Sequence, residues 1–320
     1  MRRLSTIVFA AALAFTALPS TADDRLDDGV LTVCAEGCEF TSINEAIALI
    51  PESGGINDHY VEIHDAVHRE GVEIRSGGRN FTIRAGDSVK GVQHPVIDGQ
   101  STHRILRVES GSQVGLLGIA FENGMGSTNG GAILVVGSSY LSSANCEFRG
   151  NSGDPTVTAS RGGAVYVNNN NAGCIFTRCL FDSNVAARGG AVNANAFNSI
   201  IVMKSEFRGN DSTDPSYADS IVNGDGDGVF IEETTFCGEG AQISGSFDFS
   251  VDSTVTIADS CDASGALPGD YDGDGDLDVD DLTAIREALA ICVADIDGDG
   301  DVDGSDLAYV LGFWGACSAP

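Results

Sequence analysis

The sequence predicts an all-β body, built as a parallel β-helix, with a small α-helical domain after it. Two repeated motifs, surrounded by strand-like patterning, predict the body. The motif Gly-Gly-Ala-Ile/Val begins at Gly130, Gly162 and Gly189. The motif Phe-x-x-Asn begins at Phe148, Phe181 and Phe207. Both return after roughly 26 to 33 residues, a period typical of stacked coils in a solenoid. A duplicated acidic segment near the C-terminus predicts the second domain.

Composition agrees with a turn-rich β architecture. The chain has 41 glycines, 7 prolines and 7% aromatic residues, which disfavours a helical bundle. The formal net charge is −30. Nucleic acids and anionic membrane surfaces need clustered lysine and arginine, so both are poor partners for this chain.

Residues 1–22 predict a secretory signal peptide rather than a structural element. Met1-Arg2-Arg3 is a basic start, residues 7–18 are apolar, and small residues lead to a cleavage point after Ala22. About a dozen apolar residues are too few to span a bilayer, and no second apolar run follows, so no transmembrane segment is expected. The mature chain is therefore expected to be secreted, either extracellular or held at the cell surface.

Residues 23–261 are predicted to form the β-helix. A first strand near 30–33 precedes an amphipathic helix, which Thr41 or Ser42 caps and Pro51 ends. Short alternating strands then follow near 60–63, 71–75, 81–84 and 95–98. A helix before such strands resembles the first coil of pectin-lyase-like right-handed parallel β-helices. The resemblance implies a right-handed cylinder whose open end is covered by an N-terminal capping helix.

The repeat also predicts where its side chains lie. Each repeat Phe is expected to stack on the next inside the cylinder, and Gly-Gly is expected to form a tight corner. The Asn of the second motif is expected in a left-handed turn and in a side-chain ladder. Phe121 and Phe236 extend the Phe series by one coil in each direction. Over roughly residues 115–240, the two motifs together resemble the repeats of polymorphic outer-membrane proteins, which implies the fold and leaves the function open.

The nine cysteines fall into two groups. In a secreted chain, three pairs are candidates for disulfide bonds: Cys34–Cys38, Cys237–Cys261 and Cys292–Cys317. The other three occupy apolar strand positions and are expected as buried thiols or as a stacked ladder: Cys146, Cys174 and Cys179. The spacing of the cysteines disfavours a metal site.

A linker at residues 262–268 leads to a domain at residues 269–320 that contains two copies of a twelve-residue acidic loop. Each copy has carboxylates at loop positions 1, 3, 5, 9 and 12 and glycine at position 6, which is the ligand pattern of a Ca²⁺ loop. A backbone carbonyl at position 7 completes the oxygen ligands that Ca²⁺ prefers. We therefore predict two bound Ca²⁺ ions. The loop residues predicted to hold them are Asp270, Asp272, Asp274, Asp276, Asp278, Asp281, Asp295, Asp297, Asp299, Asp301, Asp303 and Asp306.

Each acidic loop runs into an apolar helix, and the first has Leu282, Ile285 and Leu289 at helical spacing. A loop and its following helix, present twice with Asp-Leu opening each helix, resemble a type I dockerin over roughly residues 267–320. The resemblance implies a calcium-folded, EF-hand-like module that binds a cohesin-like or cell-envelope protein. The dockerin family usually selects its partner at loop positions 10 and 11, where this chain has Val279-Asp280 and Gly304-Ser305 rather than two Ser/Thr pairs.

Arginines are the candidate ligand-binding residues of the β-helix. Arg161 and Arg188 precede Gly-Gly-Ala in consecutive repeats. Arg149 and Arg208 follow the repeat Phe. Equivalent positions in neighbouring coils lie about 4.8 Å apart, so these side chains are expected to stack, where they could bind acidic sugars or serve as the base of a lyase. The alternative is a solvated face on which they pair with the nearby carboxylates of Glu147, Asp182 and Glu206.

The sequence predicts a secreted, calcium-binding, non-catalytic protein for adhesion, carbohydrate binding or assembly, attached through its C-terminal module. The alternative is a dockerin-bearing enzyme of polysaccharide catabolism, either a lyase or an O-glycosyl hydrolase. Acidic residues are scattered among the repeated coils without an evident pair, so the sequence shows no complete catalytic constellation. A third interpretation is a structural envelope protein whose tail only locks the end of the β-helix.

Overall fold

The computed structural model describes residues 29–258, apart from gaps at 53–58, 76, 87–93, 155–156, 169–171, 196–198, 225–227, 239, 246–248 and 252. Strands dominate this part of the chain, which also contains one helix, α1 (Ile43–Leu49). No helix among the described residues is long and apolar enough to cross a membrane. The predicted signal peptide, the linker and the domain with the two acidic loops lie outside the described residues.

The strands form four sheets. Sheet 1 contains β1 (Val30–Val33), β2 (Tyr60–Ile63), β5 (Asn80–Ala85), β8 (Gln113–Leu117), β12 (Tyr140–Ala144), β16 (Gly173–Thr177), β20 (Ser199–Met203), β24 (Gly228–Glu232) and β27 (Phe249–Val251). Sheet 2 contains β3 (Val67–His68), β6 (Val96–Asp98), β9 (Ala120–Glu122), β13 (Glu147–Arg149), β17 (Leu180–Asp182), β21 (Glu206–Arg208), β25 (Thr235–Cys237) and β28 (Thr256–Ala258). Sheet 3 contains β4 (Val72–Ile74), β7 (Leu106–Val108), β11 (Ile133–Val136), β15 (Val165–Asn168), β19 (Val192–Asn195), β23 (Ile221–Asn223) and β26 (Ile243–Gly245). Sheet 4 contains β10 (Met125–Gly126), β14 (Ser152–Gly153), β18 (Val185–Ala186) and β22 (Asp211–Ser212).

The order of the strands makes the body a parallel β-helix. The chain passes through sheets 1, 2 and 3 in each complete coil, and four central coils also add a short strand to sheet 4. Neighbouring strands of a sheet come from successive coils and run parallel. The predicted class of the body, a parallel β-helix, is therefore confirmed for the described residues, whereas its right hand stays a prediction.

A stack of phenylalanines fills the core behind sheet 2, as the repeat predicts. The five rings are fully buried, and consecutive ring centres lie 5.3, 4.7, 4.4 and 4.7 Å apart. The stack consists of Phe121, Phe148, Phe181, Phe207 and Phe236. Near-parallel rings at this spacing stabilise the stack beyond the burial of their surface.

The predicted asparagine ladder is present, but its place in the turn differs from the prediction. Asn151 donates from Nδ2 to Asn184 Oδ1 at 3.0 Å, and Asn184 donates in the same way to Asn210 at 2.9 Å. The left-handed conformation belongs to the preceding residue, as at Gly150 and Ser183, with φ values of 60° and 55°. The asparagines point inward instead, because their amides satisfy buried backbone groups of the neighbouring coils.

The Gly-Gly corner is confirmed at the entrance to sheet 3. Gly162 has a φ of +61°, and a Cβ atom there would lie 2.0 Å from the carbonyl oxygen of Val165. A Cβ atom on Gly163 would lie 2.1 Å from the carbonyl oxygen of Gly190 in the next coil. Side chains are therefore excluded at both positions by backbone atoms.

The helix α1 lies in the first coil, between β1 and β2. Ser42 is the N-cap, as predicted, and its Oγ accepts a hydrogen bond from the Glu45 amide at 3.2 Å. Ile43, Ala46 and Ile47 are buried in the same apolar core as the strands. That α1 caps the open end of the cylinder stays a prediction.

The cysteines agree with the sequence prediction where they are described. Cys34 and Cys38 form a disulfide bond with a Cα–Cα distance of 5.4 Å. Cys237 is also disulfide-bonded, whereas Cys261, its predicted partner, lies outside the described residues, as does the predicted Cys292–Cys317 pair. Three free thiols are buried at Cys146, Cys174 and Cys179.

Candidate functional site

Arg161 and Arg188 lie together at the corner that leads into sheet 3. The two residues form an isolated parallel β-bridge with each other, so these equivalent positions lie on neighbouring coils as predicted. Each is followed by a glycine in the left-handed region, Gly162 or Gly189, with φ values of 61° and 66°. The repeated corner therefore brings both arginines to the same edge of the cylinder.

A cavity of about 440 Å³ lies beside the two arginines. Tyr217, from the segment between β22 and β23, provides an aromatic wall, and the guanidinium carbon of Arg188 lies 4.5 Å from the centre of its ring. Arg161 donates from Nη1 to the hydroxyl of Tyr166 at 3.2 Å. Amide and hydroxyl side chains line much of the remaining surface, and they belong to Asn193, Asn195, Asn223, Ser216 and Ser244.

The arginines of the two motifs differ in their charge partners. Arg208 Nη2 lies 3.2 Å from Asp182 Oδ2. Arg149 Nε lies 3.1 Å from Glu147 Oε2, an ion pair without hydrogen-bond alignment. The alternative of a paired, solvated face therefore holds for Arg149 and Arg208.

Arg161 and Arg188, which line the cavity, have no carboxylate partners in the part of the chain that the structure describes. No ion pair joins Arg161 or Arg188 to a described carboxylate. The Nε atom of Arg188 is buried and has no hydrogen-bond partner among these residues. A buried donor of this kind favours a ligand that accepts hydrogen bonds.

The cavity has the chemistry to bind an anionic ligand that also carries hydroxyl groups. A guanidinium group donates to a carboxylate through a planar fork of N–H groups. Two adjacent guanidinium groups create a local positive potential on a chain whose net charge is −30. The surrounding amides and hydroxyls can fix the orientation of such a ligand, and the Tyr217 ring can pack against its apolar face.

A second group of charged residues lies in register on sheet 2. Each follows an inward-facing apolar residue, as Asp98 follows Ile97 and Glu122 follows Phe121. In order along the cylinder the row is Asp98, Glu122, Arg149, Asp182 and Arg208. The sequence indicates Asp182 only as one of several scattered carboxylates and does not single out Asp98 or Glu122. The position directly after the inward residue of each sheet 2 strand is the signal that could have found them.

The neighbouring carboxyl groups of Asp98 and Glu122 have pKa values shifted in opposite directions. Burial would raise the pKa of Asp98, but hydrogen bonds from the Gln100 amide and the Asn123 side chain outweigh it and lower the pKa. Burial raises the pKa of Glu122, and the positive charge of Arg149 offsets only part of the rise. An ionised carboxylate beside a protonatable carboxyl group is an arrangement used in acid–base catalysis.

The two predicted calcium loops, residues 270–281 and 295–306, lie outside the described part of the chain. Within the described residues, no group of three or more His, Cys, Asp or Glu side chains is arranged to hold a metal ion. Tyr217 is not predicted by the sequence either, because it lies in a segment that the repeats do not include. No protein-family model, curated protein or solved structure matches this chain.

Proposed function

We propose that this chain is a secreted, non-catalytic carbohydrate-binding protein whose β-helix binds an acidic sugar beside Arg161 and Arg188. The observation that carries the proposal is the contrast between the two pairs of arginines. Arg149 and Arg208 have carboxylate partners, whereas among the described residues Arg161 and Arg188 have none and line one cavity with Tyr217.

A uronate residue offers the groups that this cavity would recognise. Its carboxylate can accept hydrogen bonds from both guanidinium groups, and hydrogen bonds to charged groups contribute about 1.5–3 kcal/mol each. Its hydroxyl groups can pair with the asparagine and serine side chains of the lining. The cavity volume of about 440 Å³ lies within the range of about 300–1,000 Å³ found for small-ligand sites.

In this proposal, residues 269–320 are the attachment module. The loop spacing and its duplication support two Ca²⁺ ions, held by the twelve aspartates named above, and a docking surface for a cohesin-like or cell-envelope protein. The signal peptide predicted at residues 1–22 would deliver the protein outside the cell. The cylinder is proposed to be right-handed, the hand of nearly all parallel crossover connections, with α1 covering its N-terminal end.

Calorimetric titration of the full chain with hexagalacturonate tests the binding function. Arg161→Ala and Arg188→Ala should each weaken binding by about tenfold or more, because each removes charge-assisted hydrogen bonds. Arg208→Ala is the matched control, since its guanidinium group is already paired with Asp182. Equal affinities in all three variants would contradict the proposal.

A second candidate function, polysaccharide cleavage, is favoured by the Asp98–Glu122 pair. Glycoside hydrolysis commonly uses one ionised and one protonated carboxyl group, and the pKa values of these neighbours are lowered and raised, respectively. Incubation with uronate and neutral polysaccharides, followed by an assay for new reducing ends, separates the two functions. The enzyme requires an activity that Glu122→Gln abolishes. Binding alone requires that the unaltered chain produce no reducing ends.

A further inference from the structure

A groove of about 330 Å³ lies on the outer face of sheet 1 and shares no residue with the arginine cavity. Its floor is a register row on β5, β8 and β12, formed by Thr82, Gly115 and Ser142. A Cβ atom on Gly115 would lie 2.5 Å from Thr82 Oγ1. Glycine therefore keeps the middle of the floor low, between two strands that carry side chains.

The walls of the groove combine polar and apolar groups. On one side, Asn80, Gln113 and Tyr140 are register partners, and the Tyr140 side chain is 51% exposed. On the other side lies Leu117, which is 41% exposed. Ile175 follows Ser142 in the row of the floor and closes that end. The exposed ring of Tyr140 therefore lies beside amide and hydroxyl groups of the same groove.

The opposite end of the groove carries charge that is already compensated. Tyr60 is the register partner of Thr82 and continues the floor row beyond the groove. The guanidinium carbon of Arg84 lies 3.9 Å from the centre of the Tyr60 ring, and its Nη2 donates to Glu62 at 2.6 Å. The described residues that line the groove itself carry no charge.

We infer that this groove binds a short neutral saccharide. A charged ligand would find no opposite charge along the lining, on a chain whose net charge is −30. A purely apolar ligand would cover the amide of Gln113 and the hydroxyl of Ser142 without giving them partners, which costs free energy. A neutral sugar avoids both penalties. It needs no opposite charge, its hydroxyls pair with amides, and its ring face packs on an aromatic side chain.

The groove spans three strands, or roughly 10 Å at the usual strand spacing. Its volume of about 330 Å³ is near the lower end of the range of about 300–1,000 Å³ for small-ligand sites. The occupant is therefore a short stretch of a saccharide chain that lies along the axis of the cylinder. Since the groove and the arginine cavity share no residue, this inference does not rest on the uronate function.

Titration of the full chain with cellohexaose, xylohexaose and mannohexaose tests the inference. At least one of these neutral probes should bind, and Tyr140→Ala should weaken that binding by about tenfold, because it removes the ring on which the sugar packs. Tyr140→Phe keeps the ring and should retain most of the affinity. Gln113→Ala should weaken binding as well, since it removes an amide from the same wall.

Phe230→Ala is the matched control, because Phe230 is an aromatic residue of sheet 1 that is 39% exposed and lies outside the groove. It should leave the affinity unchanged. The inference is overturned if none of the three neutral probes binds, or if Phe230→Ala weakens binding as much as Tyr140→Ala. It is also overturned if Tyr140→Ala weakens the binding of hexagalacturonate instead.

Discussion

Glu70 caps the N-terminus of α1 from the following coil, because its Oε2 accepts a hydrogen bond from the Ile43 amide at 2.6 Å. Its Oε1 accepts from the Ser42 hydroxyl at 2.5 Å and from the Asn44 side-chain amide at 2.6 Å. His68 Nε2 lies 3.2 Å from the same carboxylate. One carboxylate thus satisfies donors at the start of α1 and joins the helix to the next coil.

Glu70→Gln should lower the free energy of unfolding by about 2 kcal/mol, because a charged acceptor becomes neutral and one of its oxygens becomes a donor facing other donors. Urea unfolding followed by circular dichroism measures the change. Glu45→Gln is the control, since Glu45 is exposed in the first turn of the same helix. It should cost less than about 0.5 kcal/mol. Equal losses for the two variants would show that Glu70 is not a cap.

The same carboxylate predicts a loss of stability in acid. Burial would raise the pKa of Glu70, but hydrogen bonds from His68, Ser42, Asn44 and the Ile43 amide outweigh it and lower the pKa from 4.5 to about 2. Because the folded pKa is lowered, the contribution is complete above pH 4.5 and is lost as the pH falls toward 2. The loss is about 2 kcal/mol, because solvent screens part of the interaction of this partly exposed carboxylate.

Melting temperatures measured between about pH 6 and pH 2 test this window. They should fall more steeply for the unaltered chain than for Glu70→Gln, and parallel curves would contradict the prediction.

His68 has the opposite pH dependence, because its hydrogen bond to Glu70 raises its pKa above 6.5 against the effect of burial. Its contribution is complete below pH 6.5 and is lost as the pH rises through the raised pKa.

Asn184→Ala should destabilise the β-helix by about 2–4 kcal/mol. Asn184 is fully buried, and its Nδ2 donates to Asn210 Oδ1 at 2.9 Å and to the Phe148 carbonyl at 2.8 Å. Alanine leaves these buried acceptors without that donor. Asn168→Ala is a partly buried control, whose Oδ1 accepts a longer bond of 3.5 Å from Asn195. Denaturation midpoints that fall equally in both variants would argue against the ladder as a stabilising element.

The two acidic loops predict binding of two Ca²⁺ ions by the full chain. Calorimetric titration should show one fewer ion in Asp270→Ala and one fewer in Asp295→Ala, because each substitution removes the first ligand of one loop. Asp211→Ala is the control, since Asp211 is an exposed residue of β22 outside both loops. An unchanged stoichiometry in the two loop variants would place the ions elsewhere.

The repeats made the core predictable, because a side chain that recurs once per coil must meet its own copies in a stacked fold. Phe148 and Phe181 therefore stack as predicted, and the Asn151 side chain donates a hydrogen bond to the Asn184 side chain. The turn conformation was less predictable. The motif does not indicate whether the asparagine or the residue before it takes the left-handed conformation. Because the Asn151 amide is buried, Gly150 takes that conformation instead.

The sites depend on contacts that no single repeat encodes. Glu70 caps a helix that lies more than twenty residues earlier in the chain, so no local spacing indicates it. Arg149 and Arg161 belong to different motifs, and the folded chain gives the first the carboxylate of Glu147 in its own strand and the second the hydroxyl of Tyr166. Tyr217 lies in a non-repeated segment, so its position over Arg188 follows only from the folded chain.

The most direct test of the uronate function compares two oligomers with the same sugar backbone, one anionic and one neutral. The affinity of the full chain is measured for hexagalacturonate and for the same oligomer with every carboxylate methyl-esterified. If Arg161 and Arg188 bind a carboxylate, esterification should weaken binding by about tenfold to a hundredfold, because it removes the charge-assisted hydrogen bonds. Equal affinity for the two oligomers would contradict the assignment of the cavity to an acidic sugar.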